Sequence, residues 1–124
     1  AVKGNAATGV GGGIMQMSDE GGVSLIDSAV VGNRAGGHGG GIDNHGYLSL
    51  TRSSVRDNSA AGGGGIYTSY SLWLTDSTVT RNTAGVRGGG VRNAPYDEGG
   101  TVTLEGTSSV TGNTPDDCVG TPSC

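Results

Sequence analysis

The sequence predicts an all-β fold: a right-handed parallel β-helix of about four coils, each of 24–31 residues and three short strands. Three recurring elements predict it. Glycine triplets stand at 11–13, 39–41, 63–65 and 88–90, followed by Ile14, Ile42, Ile66 and Val91. An apolar-x-apolar triplet comes next in every unit: Val23-Ser24-Leu25, Leu48-Ser49-Leu50, Leu72-Trp73-Leu74 and Val102-Thr103-Leu104. A Val-x-x-Asn element closes each unit, running from Val30 to Asn33, Val55 to Asn58, Val79 to Asn82 and Val110 to Asn113. Val2 to Asn5 matches the tail of one more unit.

The apolar triplets have period two, which is a strand pattern. No stretch carries apolar residues at i, i+3, i+4 and i+7, so helical repeats are excluded. Gly, Asn, Asp and Ser fill the segments between strands, where the chain must turn. Equivalent strands of successive coils then stack in parallel about 4.8 Å apart, and parallel crossovers favour the right-handed sense. Inward columns are expected for Ile14/Ile42/Ile66/Val91, Leu25/Leu50/Leu74/Leu104 and Val30/Val55/Val79/Val110. Asn33, Asn58, Asn82 and Asn113 should form a ladder of side-chain amides at one turn, with asparagine taking the left-handed backbone there. The glycine triplets mark a close-packed corner. The coils occupy 1–114, in repeats of approximately 6–33, 34–58, 59–82 and 83–113, and a C-terminal cap occupies 115–124.

The GGGI and Val-x-x-Asn elements resemble the right-handed parallel β-helix repeats of secreted and surface bacterial proteins. They are similar to the GG-apolar-Ile and Phe-x-x-Asn repeats of polymorphic outer-membrane proteins and autotransporter adhesins, with valine here where that family places phenylalanine. The resemblance implies a secreted or surface-exposed, adhesin-like solenoid.

Composition narrows the function. The formal charge of -4 offers no basic patch for a nucleic-acid backbone. No apolar run approaches the roughly 20 residues that span a bilayer. No secretory leader stands in front of Ala1, which reads as a processed chain or an excised piece. Cys118 and Cys124, close together in a histidine-poor chain, read as a disulfide and favour an oxidising compartment. With Pro115 and Pro122 they form the expected cap. The open coil at Val2 is expected to be covered by upstream coils, a symmetry-related copy or a partner, because solenoid ends need capping.

Asp27, Arg52 and Asp76 fall in one column, and Asp57 and Arg81 in another, so opposite charges stack. His38, Asp43 and His45 share a coil and carry zinc-ligand chemistry, but their spacing fits no familiar site, and exposed turn residues are the expectation. Asp19-Glu20-Gly21-Gly22 and Asp97-Glu98-Gly99-Gly100 occupy two long turns. Calcium is the one cofactor these carboxylates suggest, and only weakly. The two turns lie roughly 14 Å apart at about 4.8 Å per coil, beyond the ~5–9.5 Å of paired glycosidase carboxylates. No serine has an evident histidine and acid partner.

Aromatic residues make the sharper candidate. Tyr47, Tyr67, Tyr70 and Trp73 are expected to face outward around one corner, a surface suited to a sugar ring or a partner protein. Arg92 shares the column of Tyr67 and Asp43, a cation–π arrangement. The expected function is a non-catalytic extracellular or cell-surface structural or adhesive module, with a polysaccharide or surface protein as partner. The alternative is a carbohydrate-binding or carbohydrate-processing β-helix using that corner. Ice binding ranks last, because the outward columns Ala29/Ser54/Thr78/Ser109 and Val31/Arg56/Thr80/Thr111 are not regular threonine arrays.

Overall fold

A computed structural model describes residues 1–17, 21–94, 100–121 and 124. The described chain contains strands and turns and no helix. The first coil comprises β1 (Val2–Lys3), β2 (Ala6–Ala7), β3 (Ile14–Gln16) and β4 (Gly22–Ile26). The second comprises β5 (Ala29–Val31), β6 (Arg34–Ala35), β7 (Ile42–Asn44) and β8 (Tyr47–Thr51). The third comprises β9 (Ser54–Arg56), β10 (Ser59–Gly62), β11 (Ile66–Thr68) and β12 (Ser71–Thr75). The fourth comprises β13 (Thr78–Thr80), β14 (Thr83–Arg87), β15 (Val91–Asn93) and β16 (Thr101–Glu105), followed by β17 (Ser109–Thr111) and β18 (Cys118–Val119).

These strands stack into four parallel sheets: β1-β5-β9-β13-β17, β2-β6-β10-β14, β3-β7-β11-β15-β18 and β4-β8-β12-β16. The molecule is therefore a parallel β-solenoid of about four turns, and each coil has four strands rather than the expected three. The missed strand follows the ladder asparagine. Its inward residues are Ala7, Ala35, Ala60 and Ala84, too small to register as an apolar alternation.

The core is a set of single-residue columns running along the solenoid. Ile14, Ile42, Ile66 and Val91 stack in register, and Cys118 takes the next place in that column. Val2, Val30, Val55, Val79 and Val110 form a second column. Leu25/Leu50/Leu74/Leu104 and Val23/Leu48/Leu72/Val102 form two more. Residues of the middle coils are fully buried, whereas Val2, Ile14, Val23, Leu25, Leu104 and Cys118 at the ends are only partly so.

The asparagine ladder forms as expected and is longer than expected. Nδ2 of Asn5, Asn33, Asn58 and Asn82 each donates to Oδ1 of the next asparagine at 3.0 Å, ending at Asn113. Each of these acceptors also takes the backbone N–H of the preceding rung, at 2.8–2.9 Å. The second Nδ2 hydrogen of Asn33, Asn58, Asn82 and Asn113 goes back to the carbonyl of Val2, Val30, Val55 and Val79. The middle rungs are thus buried at 1% exposure with donors and acceptors matched.

The left-handed backbone lies elsewhere than predicted. It belongs to the residue before each ladder asparagine: Gly4, Gly32, Asp57, Arg81 and Gly112, with φ between 53° and 68°. A second left-handed column holds Asp27, Arg52, Asp76 and Gly106. For an ordinary L-residue this conformation costs about 1–2 kcal/mol, and it is here that the stacked charges pair. Arg52 donates to both oxygens of Asp27 at 2.7 and 3.1 Å, and Arg81 to both oxygens of Asp57 at 3.0 Å. Asp76 instead accepts from the Thr107 backbone N–H and hydroxyl.

The glycine triplets have three distinct causes. The first glycine of each triplet has a positive φ of 60–70°. The second lies against the backbone of a neighbouring coil; a Cβ on Gly40 would strike the carbonyl oxygens of Gly64 and Ser59. The third lies against both the next coil's backbone and the ladder, since a Cβ on Gly41 would lie 2.7 Å from the Gly65 carbonyl oxygen and 3.0 Å from Asn58 Nδ2. Triplet and asparagine are two halves of one packing unit.

Candidate functional site

Three outward regions carry chemistry. The first is the face of β4, β8, β12 and β16. Its side chains stack in register as Gly22/Tyr47/Ser71/Thr101, Ser24/Ser49/Trp73/Thr103 and Ile26/Thr51/Thr75/Glu105. Leu48, Leu50, Leu72 and Leu74 point inward, so the period of two turns Tyr47 and Trp73 out to solvent, where they are 49% and 46% exposed. The Tyr70 ring meets Tyr47 edge-on at 5.0 Å, and the two hydroxyls are 3.4 Å apart. A shallow groove of about 260 Å³ runs between Tyr47 and Trp73 over Gly22, Ser24 and Ser49. The Ser49 hydroxyl donates to Ser24 Oγ at 3.3 Å on its floor.

Tyr67 does not join this corner. It lies on the neighbouring sheet, is only 8% exposed, and is covered rather than presented. The His38 ring stacks on it at 3.9 Å with planes 22° apart, and the Arg92 guanidinium sits 5.7 Å from its centroid. The outward reading of Tyr67 is right for the strand pleat and wrong for exposure. The segment between β6 and β7 carries His38 back over the sheet, and His38 bridges to Gly62 of the next coil. Among the described residues the exposed aromatic group is therefore Tyr47 and Trp73, with Tyr70 packed behind Tyr47.

The second region is beneath that segment. Asp43, expected as an exposed turn residue, is fully buried. Its Oδ1 lies 3.3 Å from His38 Nδ1 and its Oδ2 lies 3.2 Å from His45 Nε2. The first contact is an ion-pair distance without hydrogen-bond alignment, leaving Asp43 Oδ1 and His38 Nδ1 without hydrogen-bond partners. His45 Nδ1 is 2.7 Å from Ser69 Oγ. With Nε2–H donated to Asp43, Nδ1 accepts the Ser69 hydroxyl, so an acid, a histidine and a serine are aligned. The expectation that no serine has such partners is thereby corrected. The signal was present in the repeat: Asn44 pairs with Thr68, so His45 and Ser69 occupy equivalent places one coil apart. Ser69 is only 5% exposed. The line ties two stacked turns together rather than holding a nucleophile open to solvent. Among the described residues, no group of three or more His, Cys, Asp or Glu side chains is placed to hold a metal ion.

The third region is the left-handed charged column, which borders an open depression of about 580 Å³ lined by Asp27, Arg52 and Asp76. The Arg52 hydrogen bond, opposed by partial desolvation and aided by the guanidinium charge, holds the Asp27 carboxyl below its ordinary value of 3.8. Arg81 lowers Asp57 in the same way, with Arg56 assisting. These carboxylates are engaged by arginine. The Asp19-Glu20 and Asp97-Glu98 carboxylates considered for calcium lie outside the described residues, as does Pro122 of the cap.

At the C-terminus, Cys118 and Cys124 form a disulfide with a Cα separation of 6.0 Å. Asp117 Oδ1 accepts the Asn113 backbone N–H at 2.9 Å and Nδ2 at 3.0 Å. Asp116 Oδ1 accepts the N–H groups of Gly88 and Gly89. Two carboxylates therefore end the columns that asparagine and glycine carry through the coils.

Fold and site together define a four-sided parallel β-solenoid with an aromatic groove on one face. Compared with known protein-family models, curated proteins and solved structures, the chain matches none of them.

Proposed function

We propose that this chain is a non-catalytic structural or adhesive module working outside the cell or at its surface. The observation that carries the reading is the pair of half-exposed aromatic rings, Tyr47 and Trp73, on a sheet whose backbone is fixed by coils on both sides. Large rings held rigidly in solvent give contact area at little ordering cost, which suits adhesion. The Cys118–Cys124 disulfide accords with an oxidising compartment. The test is retention of the labelled chain on immobilised cell-surface material. Tyr47→Ala/Trp73→Ala is expected to reduce retention at least tenfold while leaving the melting temperature within a few degrees. Equal retention of the variant would remove the reading.

A second reading concerns partners at the N-terminal rim. Among the described residues no donor reaches Asn5 Oδ1, the place where a further rung would dock. A further coil, a second copy or a partner with a donor in register fits that rim. In the isolated chain, amides of residues 2–16 are expected to exchange faster than those of residues 42–56. Full protection of residues 2–16 in a monodisperse monomer would count against it.

A further inference from the structure

The groove between Tyr47 and Trp73 has a more specific chemistry than a generic sticky patch. Its walls are two aromatic side chains set diagonally, one coil and two residues apart. Two residues along a parallel strand at about 3.3 Å each and one strand across at about 4.8 Å put such positions about 8 Å apart. That spacing admits one flat ring in van der Waals contact with both walls. Gly22 lies directly beside Tyr47 in register and leaves a shelf where any other residue would fill the space. On the floor, the hydroxyls of Ser24 and Ser49 are 3.3 Å apart and are linked to each other. Each retains capacity for a further hydrogen bond. Among the described residues, no charged side chain lines the groove.

Apolar ring faces above a pair of hydroxyls match a pyranose, which has C–H faces and an equatorial rim of hydroxyl groups. An apolar peptide side chain would use the aromatic walls and make no use of the serine hydroxyls. An acidic sugar would find no cation among the lining residues. From this complementarity we infer that the Tyr47–Trp73 groove binds one ring of a neutral hexose polysaccharide, with Gly22 as the shelf and Ser24 and Ser49 as the polar floor. Tyr70 acts behind the site, since its edge-on contact at 5.0 Å holds the Tyr47 ring in place. The inference rests on the adhesive reading and names its partner.

The chain supplies its own reporter, because Trp73 is its single tryptophan. Soluble cello-, manno-, galacto- and chito-oligosaccharides of four to six units would be titrated against the full chain while Trp73 emission is recorded, with oligogalacturonate as the acidic comparison. At least one neutral series is expected to shift the emission saturably and to protect Trp73 from oxidation by N-bromosuccinimide. Oligogalacturonate should be at least tenfold weaker. Gly22→Val is the decisive variant. An added Cβ meets Tyr47 only at 3.6–3.7 Å, an ordinary contact, so the fold tolerates it while the shelf is filled. It should weaken binding at least tenfold with an unchanged melting temperature.

No response to any neutral series, or equal affinity in Gly22→Val, overturns the inference. Retention on surface material that depends on Trp73 but is not competed by any neutral oligosaccharide leaves adhesion standing and assigns the groove to a protein, which also overturns it. Loss of both retention and sugar binding removes the adhesive reading as well.

Discussion

The two ends of the asparagine ladder are built from the same side-chain chemistry and finished differently. At the C-terminal end Asn113 meets Asp117, a residue that accepts and has no amide to pass on, while Asp116 does the same for Gly88 and Gly89. Cys118 places a disulfide-bonded residue in the core column above Val91. At the N-terminal end no described residue donates to Asn5 Oδ1, and Val2, Ile14, Val23 and Leu25 are only partly covered. Met15, Met17 and Ile26 are exposed there at 45%, 72% and 54%. In a solenoid, stability comes from each coil plus its interfaces with neighbours, so the treatment of the last interface decides which end yields first. One end here is closed by replacing a donor-acceptor residue with a pure acceptor. At the other, Asn5 hands its hydrogens to Asn33 and no described residue hands one to Asn5 Oδ1.

The largest test of that contrast is within the ladder. Asn58→Ala would leave the Asn33 backbone N–H and amide without their acceptor in a buried site and take one donor from the Val30 carbonyl. At ~1–3 kcal/mol for each unsatisfied buried group, the loss is on the order of 4 kcal/mol. Asn5→Ala removes the rung at the open end, where solvent replaces most of what is lost, and should cost about 1 kcal/mol. Urea unfolding of both variants measures the difference; equal losses would mean the N-terminal rung is as integral as the middle ones.

A smaller effect is expected at the closed end. Reducing the Cys118–Cys124 disulfide frees a short loop, and the chain-entropy account assigns such a loop about 2 kcal/mol. The lost protection should appear in residues 109–121 before it reaches residues 42–56. Hydrogen exchange with and without reductant reads this, and loss beginning at the N-terminal rim would contradict it.

Smallest of all are the exposed ion pairs on the left-handed columns. The Asp27 and Asp57 carboxyls are held below their ordinary value by Arg52 and Arg81. A lowered carboxyl pKa contributes stability that is full above 3.8, the unfolded value, and is lost as pH falls through the lower folded value. Between pH 5 and 2 the wild-type melting temperature should therefore drop slightly further than that of Arg52→Gln/Arg81→Gln, with the gap closing in 1 M salt. Parallel profiles would show the pairs to be without effect on stability.

Much of this molecule is readable from the repeat because its core is one residue deep. A column of identical positions such as Val30, Val55 and Val79 is visible as a spacing of 24–25 residues, and the apolar triplets reveal their own facing. The fourth strand escapes because alanine at positions 35, 60 and 84 fills a narrow corner without an apolar signature. Asparagine's general tolerance of the left-handed region points to the ladder residue, whereas the ladder needs asparagine in ordinary geometry and the positive φ falls one residue back. Exposure is harder still. Trp73 follows its pleat, but Tyr67 is hidden by His38, brought over it by an irregular segment whose path no alternation encodes. The buried Asp43–His45–Ser69 line is invisible within one coil and becomes evident only when two coils are laid in register.

The ladder also has an electrical sense. Every rung points one amide hydrogen toward its C-terminal neighbour and its oxygen toward the N-terminal one, so along the ladder the donor-to-acceptor direction never reverses and the side-chain dipoles add, as peptide dipoles do in a helix. The positive pole of that row rests on the carboxylate of Asp117. The negative pole is the carbonyl oxygen of Asn5, facing outward at the rim. The stack thus has the character of a polarised rod, with one pole neutralised by a charge of its own and the other disposed toward whatever brings a hydrogen-bond donor.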